Sequence, residues 1–220
     1  MNYELAKNVI GLLEQFETEN PVEGLYKHNI EGFKSWIAQS HHNCKKQEPY
    51  WEGKENGRSA ESVINTLIVH MNRYAKSYSK SAIHDSDFST QEDFIYLINL
   101  KAFGSMSKTD LIKKNVHEKP VGMQIINRLI SQKWVEQTES ATDKRSKVLS
   151  ITEKGLEVLE KQMNKIRQAT TIVTGNLTHT EKMELIRLLN KLNDFHEPIY
   201  DRNIGPENLL FEAIQLTKNR

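Results

Sequence analysis

Apolar positions recur at helical spacing along most of the chain, and short polar breaks cut that pattern into segments. From Asn2 to about Glu17, Leu5, Val9, Leu12, Leu13 and Phe16 share one helical face, which Asn20-Pro21 closes. A shorter pattern of Leu25, Ile30, Phe33, Trp36 and Ile37 also reads as helical. Gln39 to Arg58 is rich in His, Lys, Glu, Asn and Gly and is interrupted by Pro49, so a boundary or mobile loop is expected there. From Ser59 the signal strengthens. Val63, Ile64, Leu67, Ile68, Met71, Tyr74, Ala75 and Tyr78 predict one long amphipathic helix to about His84.

The following segments are shorter and better punctuated. Ser89 or Thr90, with Glu92 or Asp93 three residues on, forms a capping box for a helix carrying Phe94, Ile95, Leu97, Ile98 and Leu100, which stops at Gly104. Ser107 with Asp110 opens a short helix, Lys108 to Lys114, and Asn115 suits a left-handed residue at its end. The next helix runs from about Pro120 to Lys133, with proline where its missing N–H costs nothing. Trp134 to Thr138 and Lys147 to Ile151 alternate as strands, joined by a polar turn from Ser140 to Ser146. Thr152 caps a long helix whose Leu156, Leu159, Met163, Ile166, Thr170 and Val173 make a near-heptad seam broken at Gly175-Asn176. Thr178 with Glu181 caps a last helix carrying Leu185, Leu188, Leu189, Leu192 and Phe195, expected to end before Pro198. No internal repeat is visible.

This order is mainly α with a small β-hairpin wing: a winged helix-turn-helix with flanking dimerisation helices. Residues 1–58 are expected to form an N-terminal helical extension and polar loop, 59–88 a long dimerisation or linker helix, 89–152 the DNA-binding domain, and 153–220 C-terminal dimerisation helices. A short helix before one that starts with small or polar residues fills a major groove, and a basic-tipped ribbon reaches the adjacent minor groove. Net charge is only +1, but Lys101 to Lys147 holds ten Lys/Arg against five Asp/Glu, leaving the rest at −4. A basic segment on a mildly acidic body fits double-stranded DNA as a partner; charge alone fits a solvated face equally well.

Other classes are disfavoured. One cysteine, Cys44, gives no disulfide framework within the chain and fits a reducing compartment. No apolar run approaches the roughly 20 residues of a bilayer span, and the N-terminus lacks a signal-peptide pattern, so a cytoplasmic protein without a membrane partner is expected. The chain carries no Gly-rich phosphate loop, no His-Glu-x-x-His and no Gly-x-Ser-x-Gly, so neither an enzyme nor a cofactor is expected.

From about Ser59 to Phe195 the chain resembles the MarR family of bacterial transcriptional regulators. The resemblance is most specific at the wing and its exit, Asp143-Lys144-Arg145 through Ile151-Thr152-Glu153-Lys154-Gly155, and extends to Ile126-Asn127-Arg128-Leu129 and Trp134-Val135. It implies that Arg145 enters a minor groove, that Asp143 holds it, and that Lys144 and Lys147 contact phosphates. The recognition helix departs from the family, with Pro120, Val121, Met123 and Gln124 where Ser, Thr and Arg are common. Gln124 suits a bidentate contact to adenine and Val121 a thymine methyl, with Lys119 at the helix start. Ser107, Lys108 and Thr109 are candidate phosphate contacts. Arg128 fits a structural ion pair as well as a backbone contact. Gly122 is explained either by close approach to DNA or by close approach to the preceding helix.

One winged helix makes too few contacts for high specificity, so a homodimer on a pseudo-palindromic operator is expected, in the role of a repressor. The resemblance also implies release by a small aromatic effector, and His70, Tyr74 and Tyr78 are candidate pocket residues. Cys44, flanked by His41, His42, Lys45 and Lys46, is a redox candidate, and with the two histidines the basis of an alternative metal or redox sensor. A winged helix used for protein contacts is a further alternative.

Overall fold

The structure, a computed structural model, describes residues 3–20, 26–43, 48–139 and 147–218, with the side chains of 39–43 and 218 outside that description. The chain divides into two compact units, Met1–Val63 and Ile64–Arg220. The first contains α1 (Tyr3–Glu19) and α2 (Ile30–Asn43). Buried Phe16 lies with its ring 5.4 Å from Phe33 and 5.5 Å from Trp36, so three aromatics supply the apolar payload of this small core. Asn20 clasps the returning chain: its amide donates to the Tyr26 carbonyl at 2.7 Å, and its oxygen accepts the Tyr26 N–H at 3.1 Å. α2 continues to Asn43, beyond the loop start expected at Gln39, because Gln39 to Asn43 contains no proline or glycine to stop it. The 3-10 turn Lys54–Asn56 then sits between Gly53 and Gly57, both at positive φ.

The second unit takes up most of α3 (Ala60–Ala82), then α4 (Gln91–Phe103), α5 (Lys108–Lys114), α6 (Lys119–Ser131), β1 (Val135–Glu139), β2 (Lys147–Ile151), α7 (Glu153–Thr174), α8 (His179–Asp201) and α9 (Pro206–Lys218). β1 and β2 pair antiparallel, Val135 opposite Ile151 and Glu139 opposite Lys147. Met106 pairs with Leu149 on the other edge of β2, their N–H and carbonyl groups exchanging bonds of 3.2 and 2.8 Å. Tyr96, Leu97, Leu111, Ile126, Leu129, Leu149 and Leu159 are fully buried at the junction of α4, α5, α6, the hairpin and α7. Each such aliphatic side chain contributes about 1.5–3 kcal/mol by leaving water.

Three polar or steric devices set how these elements meet. Asp93 has no exposed surface; its carboxylate accepts the Ser89 and Thr90 N–H groups at 2.8 and 3.0 Å. It also accepts Arg128 Nε at 2.8 Å and Nη2 at 2.5 Å, tying the start of α4 to α6. Gly122 is the contact point of α6 with α5, since a Cβ there would lie 2.4 Å from Ile112 Cγ1. Close approach to the preceding helix therefore explains this glycine. At the wing exit, Thr152 donates its N–H to the Trp134 carbonyl at 3.0 Å and its hydroxyl to the Lys133 carbonyl at 2.8 Å, and caps α7 by accepting the Gly155 N–H. A Cβ on Gly155 would stand 2.2 Å from the Trp134 carbonyl oxygen, so the Thr-x-x-Gly spacing fastens the hairpin to α7.

Elsewhere the structure departs from the pattern. Asn115 is not left-handed (φ −98°). Val116 takes that position at φ 51°, while Asn115 bonds Asn99 at 2.8 Å and the Leu111 carbonyl at 2.6 Å with its side chain. α6 ends at Ser131, and Lys133 at φ 62° turns the chain into β1. On α7 the buried stripe is Gly155, Leu159, Gln162, Ile166 and Ala169, and Gln162 reaches the Ala82 carbonyl; Thr170 is exposed. α8 does not end before Pro198 but runs through it. Burial of Ile199, the Tyr200 hydroxyl on the His117 carbonyl and an Asp201–Lys113 ion pair hold the final turn despite the missing N–H. α9 follows, a helix the spacing did not suggest.

Arg128→Ala strands a buried carboxylate and is expected to cost roughly 3–5 kcal/mol, read as a fall in melting temperature on the order of 10 °C. Gly122→Ala should cost about 1–3 kcal/mol by overpacking. In a double-variant cycle, Ile112→Ala with Gly122→Ala should lose less than the two singles together, because the new methyl fills vacated space. Additive losses would place the clash elsewhere.

Candidate nucleic-acid interface

With Gly122, Ile125, Ile126 and Leu129 buried, helical geometry turns Lys119, Pro120, Val121, Gln124 and Asn127 outward along the first three turns of α6. Gln124 and Val121 thus stand on one outward face. Met123 does not share that face: it is half-buried against the core. Asn127 is an addition to the sequence reading, legible only once the buried face is known. Arg128 makes the ion pair: its Nε and Nη2 are held by Asp93, and Nη2 also lies 3.1 Å from the Thr90 hydroxyl.

The supporting helix α5 presents Thr109 outward with Lys108 half-exposed, while Ser107 is spent as a cap, its hydroxyl accepting the Asp110 N–H at 3.1 Å and donating to the Asp110 carboxylate. Lys147, at the root of the wing on β2, is exposed. Among the described residues no acid pairs with Lys108, Lys119 or Lys147, so their charge faces outward. Lys114 is spent otherwise, its ammonium 3.7 Å over the Phe103 ring. Lys113 pairs with Asp201 at 2.8 Å, and that carboxylate holds it above the usual lysine range. Asp143, Lys144 and Arg145 at the wing tip lie outside the described residues, as does Cys44; α2 includes His41 and His42, whose side chains are also outside the description. Among the described residues no group of three or more His, Cys, Asp or Glu is placed to hold a metal, and no helix is long and apolar enough to cross a membrane.

Behind this surface lies a polar cluster that sequence spacing did not reveal. Tyr96 is fully buried, its hydroxyl 2.9 Å from His117 Nδ1, and its phenol is pushed far above the ordinary range by burial and then by Glu92. On its other side the His117 ring brings Nε2 to 3.6 Å from the Glu92 carboxylate. The Tyr200 hydroxyl donates to the His117 carbonyl at 2.7 Å. A cleft of about 550 Å³ opens beside it, lined by Lys113, Lys114, Val116, His196 and Tyr200 among others. His70, Tyr74 and Tyr78 are elsewhere: all three are exposed on α3 of the single chain and none borders this cleft.

Residues 86–146, from Ser86 through the described part of β1 to the end of the turn, match the family model described as MarR family. The HTH-type transcriptional repressor NicR of Pseudomonas putida is 27% identical over 137 residues, covering 62% of this chain and 85% of that protein. The structure of Bordetella bronchiseptica BpsR, whose DNA binding is regulated by 6-hydroxynicotinic acid, superposes with a TM-score of 0.55 at 22% identity, over 66% of this chain and 98% of that one. A mutant MarR from E. coli complexed with operator DNA gives a TM-score of 0.53 at 23% identity, over 59% and 92%. The family match falls on the segment that holds α4, α5, α6 and β1, and both solved structures share the winged helix-turn-helix fold, so this segment of the chain is similar to the MarR family.

Proposed function

We propose that the protein represses transcription by binding a pseudo-palindromic operator as a homodimer, and leaves the DNA when a small aromatic effector binds. The observation that carries this reading is the outward face of α6: Lys119, Val121, Gln124 and Asn127 lie together, backed by a buried core and flanked by Lys108 and Lys147. Gln124 supplies the donor–acceptor pair that fits adenine N6 and N7, Val121 fits a thymine methyl, and the lysines neutralise phosphates. Lys144 and Arg145, with Asp143 steadying the arginine, would extend the contact into the minor groove.

Dimerisation is supported by what the chain leaves uncovered. Ile64, Leu67, Ile68 and Met71 on α3, and Leu185, Leu188, Leu189 and Leu192 on α8, are each more than 40% exposed. Two helices with exposed apolar faces of this length call for a second copy to cover them. His70, Tyr74 and Tyr78, on the same helix α3, would then be walled in by that copy and form the effector pocket. Effector release is supported by BpsR, whose DNA binding responds to 6-hydroxynicotinic acid.

Selection from a random duplex library at two salt concentrations tests the DNA reading. An inverted repeat should emerge. Gln124→Ala should relax preference at one position per half-site at a cost of about 1–3 kcal/mol, and Arg145→Ala should weaken binding to A·T-rich flanks. Lys147→Ala should weaken all sequences alike and lower the salt slope by about 1. No enrichment, with weak binding indifferent to these changes, would move the weight to a protein-contact module. Sedimentation should give twice the 25.5 kDa chain mass, and Leu189→Glu with Leu192→Glu should return it to one chain; an unchanged mass would exclude α8 from the interface.

A further inference from the structure

We infer that Tyr200, at the C-terminal end of α8, is a positioning residue for DNA recognition: by holding the His117 carbonyl, it fixes the turn that aims α6. The inference rests on the DNA-binding reading above. The turn itself is weak. Asn115 to Glu118 joins the two helices of the helix-turn-helix, and Val116 within it is left-handed at φ 51°, a conformation that a β-branched residue resists. Val116 is 62% exposed, so burial does not stabilise it there. Glu118, the cap of α6, makes no side-chain capping bond. Neither local preference nor a cap therefore sets the direction in which α6 leaves the turn.

Besides the Arg128–Asp93 pair and the Gly122–Ile112 contact made by α6 itself, two contacts from outside the turn set it. On one side α4 grips the His117 ring, through the Tyr96 hydroxyl at 2.9 Å and a stacked contact with ring centroids 5.8 Å apart. On the other side α8 grips the His117 backbone, the Tyr200 hydroxyl donating to its carbonyl at 2.7 Å. A carbonyl only accepts, so the direction of this bond is fixed. Tyr200 is itself anchored by its neighbours, buried Ile199 and Asp201, whose carboxylate meets Lys113 of α5 at 2.8 Å. The same α8 carries the uncovered Leu185, Leu188, Leu189 and Leu192 along its middle. Whatever covers that apolar face is thereby connected, through one helix and one hydroxyl, to the residue that precedes the cap of the recognition helix.

Tyr200→Phe removes this bond and nothing else. In the full chain without DNA, amide exchange at Val116, His117 and Gly122 should accelerate by about three- to tenfold, the span of one net hydrogen bond, while amides of α7 keep their wild-type rates. Affinity for the selected operator should fall by a similar factor, about three- to tenfold, while affinity for a random duplex stays unchanged. Asp201→Asn, which loosens the same helix end, should shift both readings in the same direction by less. Unchanged exchange at 116–122 would overturn the inference, as would faster exchange with full operator affinity. Acceleration in a protein whose wild type selects no duplex would leave the clamp standing and overturn the DNA reading instead.

Discussion

A carboxylate with no exposed surface must find partners within the fold, and the way Asp93 meets that demand determines much of the winged helix-turn-helix unit. It accepts two backbone N–H groups where α4 begins and two guanidinium nitrogens from Arg128 on α6. The start of α4 and the helix α6 are thus joined at one buried charge, whose neutral environment would be costly without all four donors. The close approach at Gly122 sets how near α6 can come to α5, and the Thr152 bonds to Lys133 and Trp134 set where the hairpin leaves and returns. Rotation about the ion pair is removed by the glycine contact, and translation along α6 by the hairpin. The outward face of α6 is the remainder: what is left once the buried groups have been satisfied.

Much of this was legible because it depends on neighbours in sequence. The capping residues Ser107, Thr152 and Thr178 act on N–H groups three positions away, and apolar repeats fix the buried face of a helix without reference to the rest of the fold. The failures share a cause. Asn115 has the right chemistry for a left-handed position, yet its amide is engaged by Asn99, sixteen residues earlier, and Val116 takes the strain. Pro198 signals a helix end, yet the buried Ile199 and the Lys113–Asp201 pair carry α8 past it. Contacts distant in sequence outweighed a local rule in both places.

The interface divides in the same way. Val121 and Gln124 were identified from residue chemistry and stand outward; Met123, of suitable chemistry, is turned in, because a one-residue step on a helix is a 100° rotation. Arg128 is chemically ambiguous, and only its distance to Asp93 reveals the ion pair. Tyr96, His117 and Tyr200 could not have been grouped from spacing, since 21 and 83 residues separate the bonded partners. The resemblance at the wing exit, by contrast, acquires a physical reason: threonine spans two carbonyls and glycine leaves room for a third contact.

That junction at Gly155 has a mechanical meaning as well. The root of the hairpin and the cap of α7 share one backbone and one side-chain hydrogen bond and leave no space for a side chain between them, so they cannot tilt independently. α7 has 22 residues, which makes it a rod of about 33 Å at the helical rise. It therefore works as a lever with its fulcrum at the hairpin. A tilt of about 5° there displaces the far end by about 3 Å, and conversely a shift of that size at Thr174 is geared down to a small rotation of the wing.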